Sequence, residues 1–179
     1  MKIISWNKGS KFMINKMTEI NLMLKKYNPH IFTMSEAQIR KCDISKLKFD
    51  NYHLECDNLI KNNHRARSCI LIHKDIKYER LYESEPDFCS VVVIEVGLKY
   101  QRKFIVIQWY RQWKLLFQKD SDEIKIQNKK DRCAKVVESW KQLSLTKEVH
   151  MVGDINLDSE TDVTGYKKTM IDTIEENIL

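Results

Sequence analysis

Four apolar, strand-length runs in this chain each end on polar side chains of the kind that do chemistry: Trp6-Asn7, Ser35-Glu36, Trp109-Tyr110-Arg111 and Gly153-Asp154-Ile155-Asn156. On a strand, successive side chains face opposite ways, so a polar group at a strand end sits on the rim of a sheet rather than in its core. Four such ends far apart in sequence call for a sheet architecture that gathers them at one edge.

The intervening sequence fits that demand. Residues 2–6 form a short apolar opening strand. Met13, Met17, Ile20, Leu24 and Tyr27 recur at 4-3-4-3 spacing, which predicts an amphipathic helix with one buried face, stopped by Asn28-Pro29. Residues 30–35 give a second buried strand, so the chain opens β-α-β. Short strands follow at 52–56, 68–73 and 77–82. Residues 89–96 and 103–110, rich in Val and Ile and joined by 97–102, predict an antiparallel hairpin. Residues 122–145 contain a helix with Cys133, Val136, Val137, Trp140 and Leu143 on its apolar face. Residues 149–152 form another buried strand, and 166–179 a terminal helix. Two packed sheets flanked by helices, an α/β (α+β) β-sandwich, satisfies this order of elements. With no internal repeat, residues 1–179 read as one domain.

Composition narrows the class. Gly and Pro are scarce, at 4 and 2, which excludes a linker-rich or disordered chain. No apolar run approaches the roughly 20 residues of a membrane span, and the N-terminus lacks the form of a signal peptide. An intracellular protein with no membrane partner is expected. Five cysteines, with no CxxC pair, argue against a disulfide framework and a zinc site. Cys69 and Cys89 lie in apolar runs as expected buried thiols. The net charge of +6, with local basic groups at 61–67 and 125–132, mildly favours a polyanionic partner.

Read singly, each strand end has two meanings. Asp154 and Asn156 fall on one face, where a carboxylate and an amide can orient a water or a phosphoryl oxygen; an Asx-type turn after a strand has the same composition. Glu36 is a hard oxygen ligand suited to Mg²⁺, or an exposed residue opening a loop. Asn7 and Tyr110 are candidate site groups, or a turn residue and a half-buried tyrosine. Arg111 could grip a phosphate bidentately. Trp109 and Trp113 are expected to pack in the core, and His150, on the strand leading to Gly153, is read as structural.

Together the segments resemble the endonuclease/exonuclease/phosphatase superfamily, most nearly the endonuclease domain of non-LTR retrotransposons, relatives of apurinic/apyrimidinic endonucleases. Ser5-Trp6-Asn7-Lys8-Gly9 resembles the family's opening strand with its asparagine. The stretch Pro29-His30-Ile31-Phe32-Thr33-Met34-Ser35-Glu36-Ala37 resembles the segment that delivers the metal-binding glutamate. Arg67-Ser68-Cys69-Ile70-Leu71-Ile72 is similar to the following strand. Trp109-Tyr110-Arg111-Gln112-Trp113 is similar to the tyrosine segment in its retroelement form, and Val152-Gly153-Asp154-Ile155-Asn156 to the family's GD-hydrophobic-N motif.

The resemblance implies a deoxyribonuclease-like sandwich. It implies that Glu36 binds a divalent metal (Mg²⁺, with Mn²⁺ as a substitute) and that Asn7 assists. Asp154 would activate the attacking water, Asn156 would hold the scissile phosphate, Tyr110 would support it, and Arg111 would contact the DNA backbone. It further implies a DNA nick that leaves a 3′ hydroxyl, a reverse transcriptase in the same parent polypeptide, and a nuclear location. The chain departs from the pattern in two places. Residues 157–179 hold no histidine, so the family's C-terminal serine-aspartate-histidine segment has no counterpart, and no second acidic or amide residue follows Asn7 closely. A C-terminally incomplete, weakened endonuclease is therefore expected. Its rivals are a catalytically dead nucleic-acid-binding remnant and a phosphatase or phosphodiesterase acting on a small molecule or lipid headgroup.

Overall fold

Strand β1 (Ile3–Asn7) and strand β2 (Ile31–Ser35) run parallel, in register from Ile3↔Ile31 to Asn7↔Ser35. A parallel pair needs a crossover, here a 3-10 turn (Met13–Lys16) leading into helix α1 (Met17–Tyr27). In this computed structural model the described residues are 1–7, 9, 11–57, 65–83, 89–97, 102–111 and 142–154. The helix stops where the sequence predicts: Asn28 takes the left-handed conformation (φ 40°) and its N–H donates to the Leu24 carbonyl at 2.8 Å. Its buried face carries Ile20 and Leu24, continued by Met13 of the preceding 3-10 turn, with Met17 partly buried, but Tyr27 is 39% exposed. The expected stripe is thus one residue too long: Tyr27, the last residue of the helix, stands beside the Lys2 and Lys26 ammonium groups.

The remaining strands are β3 (Tyr52–Cys56), β4 (Cys69–His73), β5 (Lys77–Glu83), β6 (Cys89–Gly97), β7 (Phe104–Arg111) and β8 (Glu148–Asp154). They form two sheets of four, ordered β1-β2-β4-β3 and β5-β6-β7-β8. β6 and β7 pair antiparallel, as the hairpin reading requires, and β7 and β8 pair parallel. Each sheet therefore contains one parallel pair at one of its edges, and the two edge strands β1 and β8 lie against each other.

Strand β2 is buried along its whole length because both its faces are covered. Phe32 and Met34 pack with Met13, Ile20, Leu24 and Leu71 beneath the helix. Ile31 turns the other way and joins Ile70, Ile72, Val92, Ile94 and Val106 between the sheets. Each such side chain taken fully out of water contributes roughly 1.5–3 kcal/mol, so these two cores hold the strand ends in place. On the far face of the second sheet, Glu95 is buried and bridged by the Lys103 ammonium at 2.7 Å and by that of Lys147. It ties β6 to the starts of β7 and β8. The helix expected within 122–145 and the terminal helix at 166–179 lie outside the described residues, apart from a helical turn at 142–144. Among the described residues no helix is long and apolar enough to cross a membrane.

Candidate active site

Both parallel pairs end at the same rim. In the first sheet the register brings Asn7 beside Ser35, with Glu36 one residue on; in the second it brings Tyr110 beside Asp154. The sheets are then stitched together at this rim. The Asn7 Nδ2 donates to Asp154 Oδ2 at 2.8 Å, and the Tyr110 hydroxyl donates to Glu36 Oε1 at 3.3 Å. One layer deeper, Gln108 Nε2 donates to Ser35 Oγ at 2.9 Å, fully buried. Gln108 and Tyr110 are two residues apart on β7 and so share its inward face. Asn7, Glu36, Tyr110 and Asp154 form a ring around the rim through two hydrogen bonds, the Tyr110–Asp154 register contact, and Ser35, which pairs with Asn7 and directly precedes Glu36.

Local backbone geometry makes this possible. Gly9 donates its N–H to Asn7 Oδ1 at 3.0 Å, an Asx-type turn that fixes the amide with its nitrogen toward Asp154. Gly153 takes φ 138°, and a Cβ there would lie 1.9 Å from the Trp109 carbonyl oxygen. Only glycine lets β8 come this close to β7, which sets Asp154 against Tyr110. Trp109 itself is fully buried, a core residue as the sequence predicts.

Glu36 occupies the left-handed region (φ 55°), as does Gln38 (φ 50°). For residues with a Cβ this conformation costs on the order of 1–3 kcal/mol and must be held by its surroundings. Residues 65–68 do the holding. Ala37 N–H donates to the Arg67 carbonyl at 2.8 Å, and Ile39 and Ala66 exchange two bonds at 2.9 Å each. That segment is itself anchored by buried Asp57, whose Oδ2 accepts the Arg67 and Ser68 N–H groups at 2.9 Å each and the Ser90 hydroxyl.

The sequence places Arg67 only at the start of a strand and does not reveal its position at this rim. Its guanidinium carbon lies 5.9 Å from the centre of the Tyr110 ring. The one sequence signal is an arginine separated only by Ser68 from the apolar run that starts at Cys69. Burial chiefly, and the Glu36 carboxylate next, raise the Tyr110 phenol above its ordinary pKa, outweighing Arg67. The phenol is therefore a hydrogen-bond donor throughout the neutral range.

Of the predicted site residues, Asn7, Glu36, Tyr110 and Asp154 are brought together. Asn156 and the Arg111 side chain lie outside the described residues; the Arg111 backbone pairs with Cys89 at the end of β7. His150 stays away from the rim, paired with Glu148 at 2.9 Å and edge-on to Phe104. Among the described residues no three His, Cys, Asp or Glu side chains gather as a metal cluster. The donors at the rim are instead all oxygens, two carboxylates and an amide, and Glu36 has only one of its oxygens engaged by Tyr110. Such a set fits a hard divalent ion that keeps most of its waters, as Mg²⁺ does.

No family model and no curated protein matches this chain. Solved structures do. The endonuclease domain of TRAS1, a telomere-specific non-LTR retrotransposon, superposes with a TM-score of 0.63 at 11% identity, over 98% of this chain and 69% of that one. The fold is that of the endonuclease/exonuclease/phosphatase superfamily. An endonuclease/exonuclease/phosphatase family protein from Bacteroides thetaiotaomicron gives 0.61 at 15% identity, over 98% of this chain and 68% of its own. The Neisseria 3′ phosphatase NExo, solved with a product DNA hairpin, gives 0.63 at 13%, over 98% and 70%. This chain thus spans about two thirds of the length of these structures. Within this fold the shared feature is the two-sheet sandwich of mixed strands, which here carries the ring of Asn7, Glu36, Tyr110 and Asp154.

Proposed function

We propose that this chain is a divalent-metal-dependent endonuclease that hydrolyses DNA phosphodiester bonds, with a nick leaving a 3′ hydroxyl as its product. The observation that carries this reading is the pair of cross-sheet hydrogen bonds, Asn7 to Asp154 and Tyr110 to Glu36. They gather a carboxylate base, a carboxylate metal ligand, an amide and a phenol donor at one rim. DNA as substrate gains support from two structures of the same fold, NExo with a product DNA hairpin and the D. rerio TDP2 complex with single-strand DNA product, and from the net charge of +6.

Glu36, assisted by Asn7, would hold Mg²⁺ or Mn²⁺. When bound, such an ion supplies Lewis-acid stabilisation of charge on the phosphoryl oxygen and the leaving oxygen. Asp154, oriented by the Asn7 amide, would accept a proton from the attacking water as the water oxygen bonds to phosphorus. The bond from phosphorus to O3′ breaks, the departing oxygen takes a proton from solvent, and the products are a 3′ hydroxyl and a 5′ phosphate. Tyr110 would donate to a non-bridging phosphoryl oxygen. By the same reading Asn156 would hold the scissile phosphate and Arg111 the adjoining backbone. Use of the 3′ hydroxyl by a reverse transcriptase of the parent polypeptide, in the nucleus, completes the proposal.

Nicking of supercoiled plasmid with Mg²⁺, with and without EDTA, beside Glu36→Ala, tests it. Metal-dependent nicking that disappears in Glu36→Ala is expected. Tight DNA binding with no nicking would leave a catalytically dead remnant. Turnover of small phosphate esters, with affinity insensitive to salt, would shift the substrate to a small molecule or lipid headgroup. Nicking that survives in Glu36→Ala would sink the assignment.

A further inference from the structure

The segment that holds the Glu36 loop also presents a row of guanidinium groups, and none of the chemistry above uses it as a row. Burial alternates along it: Ala66 and Ser68 are fully buried, whereas Arg65 is exposed and Arg67 partly so. The two arginines therefore project from the same side of an extended backbone. Arg67 reaches the Tyr110 ring at the catalytic rim. Arg65 lies with its guanidinium carbon 4.7 Å from the centre of the Phe12 ring, and Arg40 contacts the same ring at 4.7 Å.

The antiparallel bridge between Ile39 and Ala66 puts Arg40 across from Arg65. Like charges facing each other across strands are unfavourable, and the fold deals with one of them. Arg40 is clamped by buried Asp43, with Nε at 2.6 Å from Oδ2 and an Nη at 2.9 Å from Oδ1. Arg40 and Phe12 thereby form a fixed platform. Among the described residues no carboxylate is paired with Arg65, so its charge is held in place over the aromatic ring and turned to solvent. Two residues of extended chain advance about 6.8 Å, close enough for two guanidinium groups to take neighbouring phosphates of one nucleic-acid strand.

We propose that Arg67 and Arg65 form a phosphate track. Arg67 takes the backbone at the catalytic rim, and Arg65, braced by the Phe12–Arg40 platform, takes a neighbouring phosphate of the same strand, on the Phe12 side of the rim. The occupant is a nucleic-acid strand read by its backbone and not by its bases. The inference rests on the reading of the rim as a DNA-cleaving site, because it supplies the side on which the bound strand leaves that site. Guanidinium suits the task, since its planar fork keeps its charge at all working pH values and matches phosphate oxygens.

The test is binding of a fluorescently labelled DNA oligonucleotide by anisotropy, in EDTA so that nothing is cut, over a salt series. Each phosphate contact neutralised adds about 0.7–0.9 to the slope of log K against log salt. Arg65→Ala and Arg67→Ala are each expected to lower that slope by about this amount, and Arg65→Lys to keep it. Lys25→Ala is the control, since α1 ends at the opposite end of β1, where Lys2 Nζ donates to the Tyr27 carbonyl at 2.6 Å. Arg65 lies outside the packed cores, so Arg65→Ala tests the track in a folded protein. A slope unchanged in Arg65→Ala, or lowered equally by Lys25→Ala, overturns the track. So does binding by the wild type that does not depend on salt. Absence of nicking by a wild type that still shows the expected slopes overturns the catalytic reading and leaves the track standing.

Discussion

Asn7 and Asp154 stand 147 positions apart in the chain, yet the Asn7 amide nitrogen lies 2.8 Å from an Asp154 carboxylate oxygen. The contact joins the last residue of the first edge strand to the last residue of the eighth, and it closes the rim at which the two sheets meet. What the amide does there is decided by its second bond. With its oxygen engaged by Gly9, its nitrogen points at Asp154 and fixes the direction of that carboxylate.

Asn7→Asp turns this hydrogen bond into a pair of facing carboxylates. Like charges this close cannot both ionise freely, so one of the pair gains a raised pKa and they titrate together. The acid limb of the nicking rate against pH is expected to move to higher pH. Asn7→Ala should lower the rate by about 10²-fold, the scale of losing one preorganised donor. An Asn7→Asp profile that superimposes on the wild type would show that the two groups do not meet in solution.

The left-handed backbone at Glu36 sets function against stability. Glycine adopts φ 55° without strain, whereas alanine pays the same steric penalty as glutamate. Glu36→Gly is therefore expected to be more stable than Glu36→Ala by about 1 kcal/mol in urea unfolding, with both inactive. Equal stabilities would mean that the Arg67 and Ala66 contacts do not hold the loop in that conformation.

Gly153→Ala should be among the most damaging single-methyl changes in the protein. The added Cβ meets the Trp109 backbone at 1.9 Å, and β7 must separate from β8 to relieve it. A loss of roughly 2–4 kcal/mol is expected, together with loss of nicking, because Asp154 moves with its strand. Chemical denaturation gives the first number and the plasmid assay the second. Retained activity at reduced stability would place Asp154 outside the chemistry.

Tyr52, Tyr78 and Tyr110 have phenols raised above their ordinary pKa, burial being the largest cause in each; Glu55 adds to it for Tyr78 and Glu36 for Tyr110. A raised folded-state pKa means the native state holds protons that the unfolded chain releases. The resulting stability is fully present below the ordinary phenol value of about 10 and is lost as pH rises through the folded values. Of the seven tyrosines, these three are expected to ionise late in an absorbance titration, with unfolding stability declining above about pH 10. Ionisation of all seven in one step near the ordinary value, with the fold intact, would contradict this placement.

The sequence by itself determined the local pieces. Apolar runs predicted each described strand to within two residues, Asn28-Pro29 stopped the helix, and the β-α-β opening required a parallel pair. A polar group ending an apolar run was a local signal too, and Asn7, Glu36, Tyr110 and Asp154 were legible for that reason. Periodicity reports which residues are buried, but not by what. Only the tertiary structure decided that β4 and β5, consecutive in the chain, go to different sheets, because pairing is set by which faces can be covered together. It also decided that Tyr27 stays exposed, that Gly153 lets two strands touch, and that Arg67 belongs to the rim. Arg67 gets there through Asp57, Ala37 and Tyr110, contacts reaching across both sheets, and no window of neighbouring residues contains them.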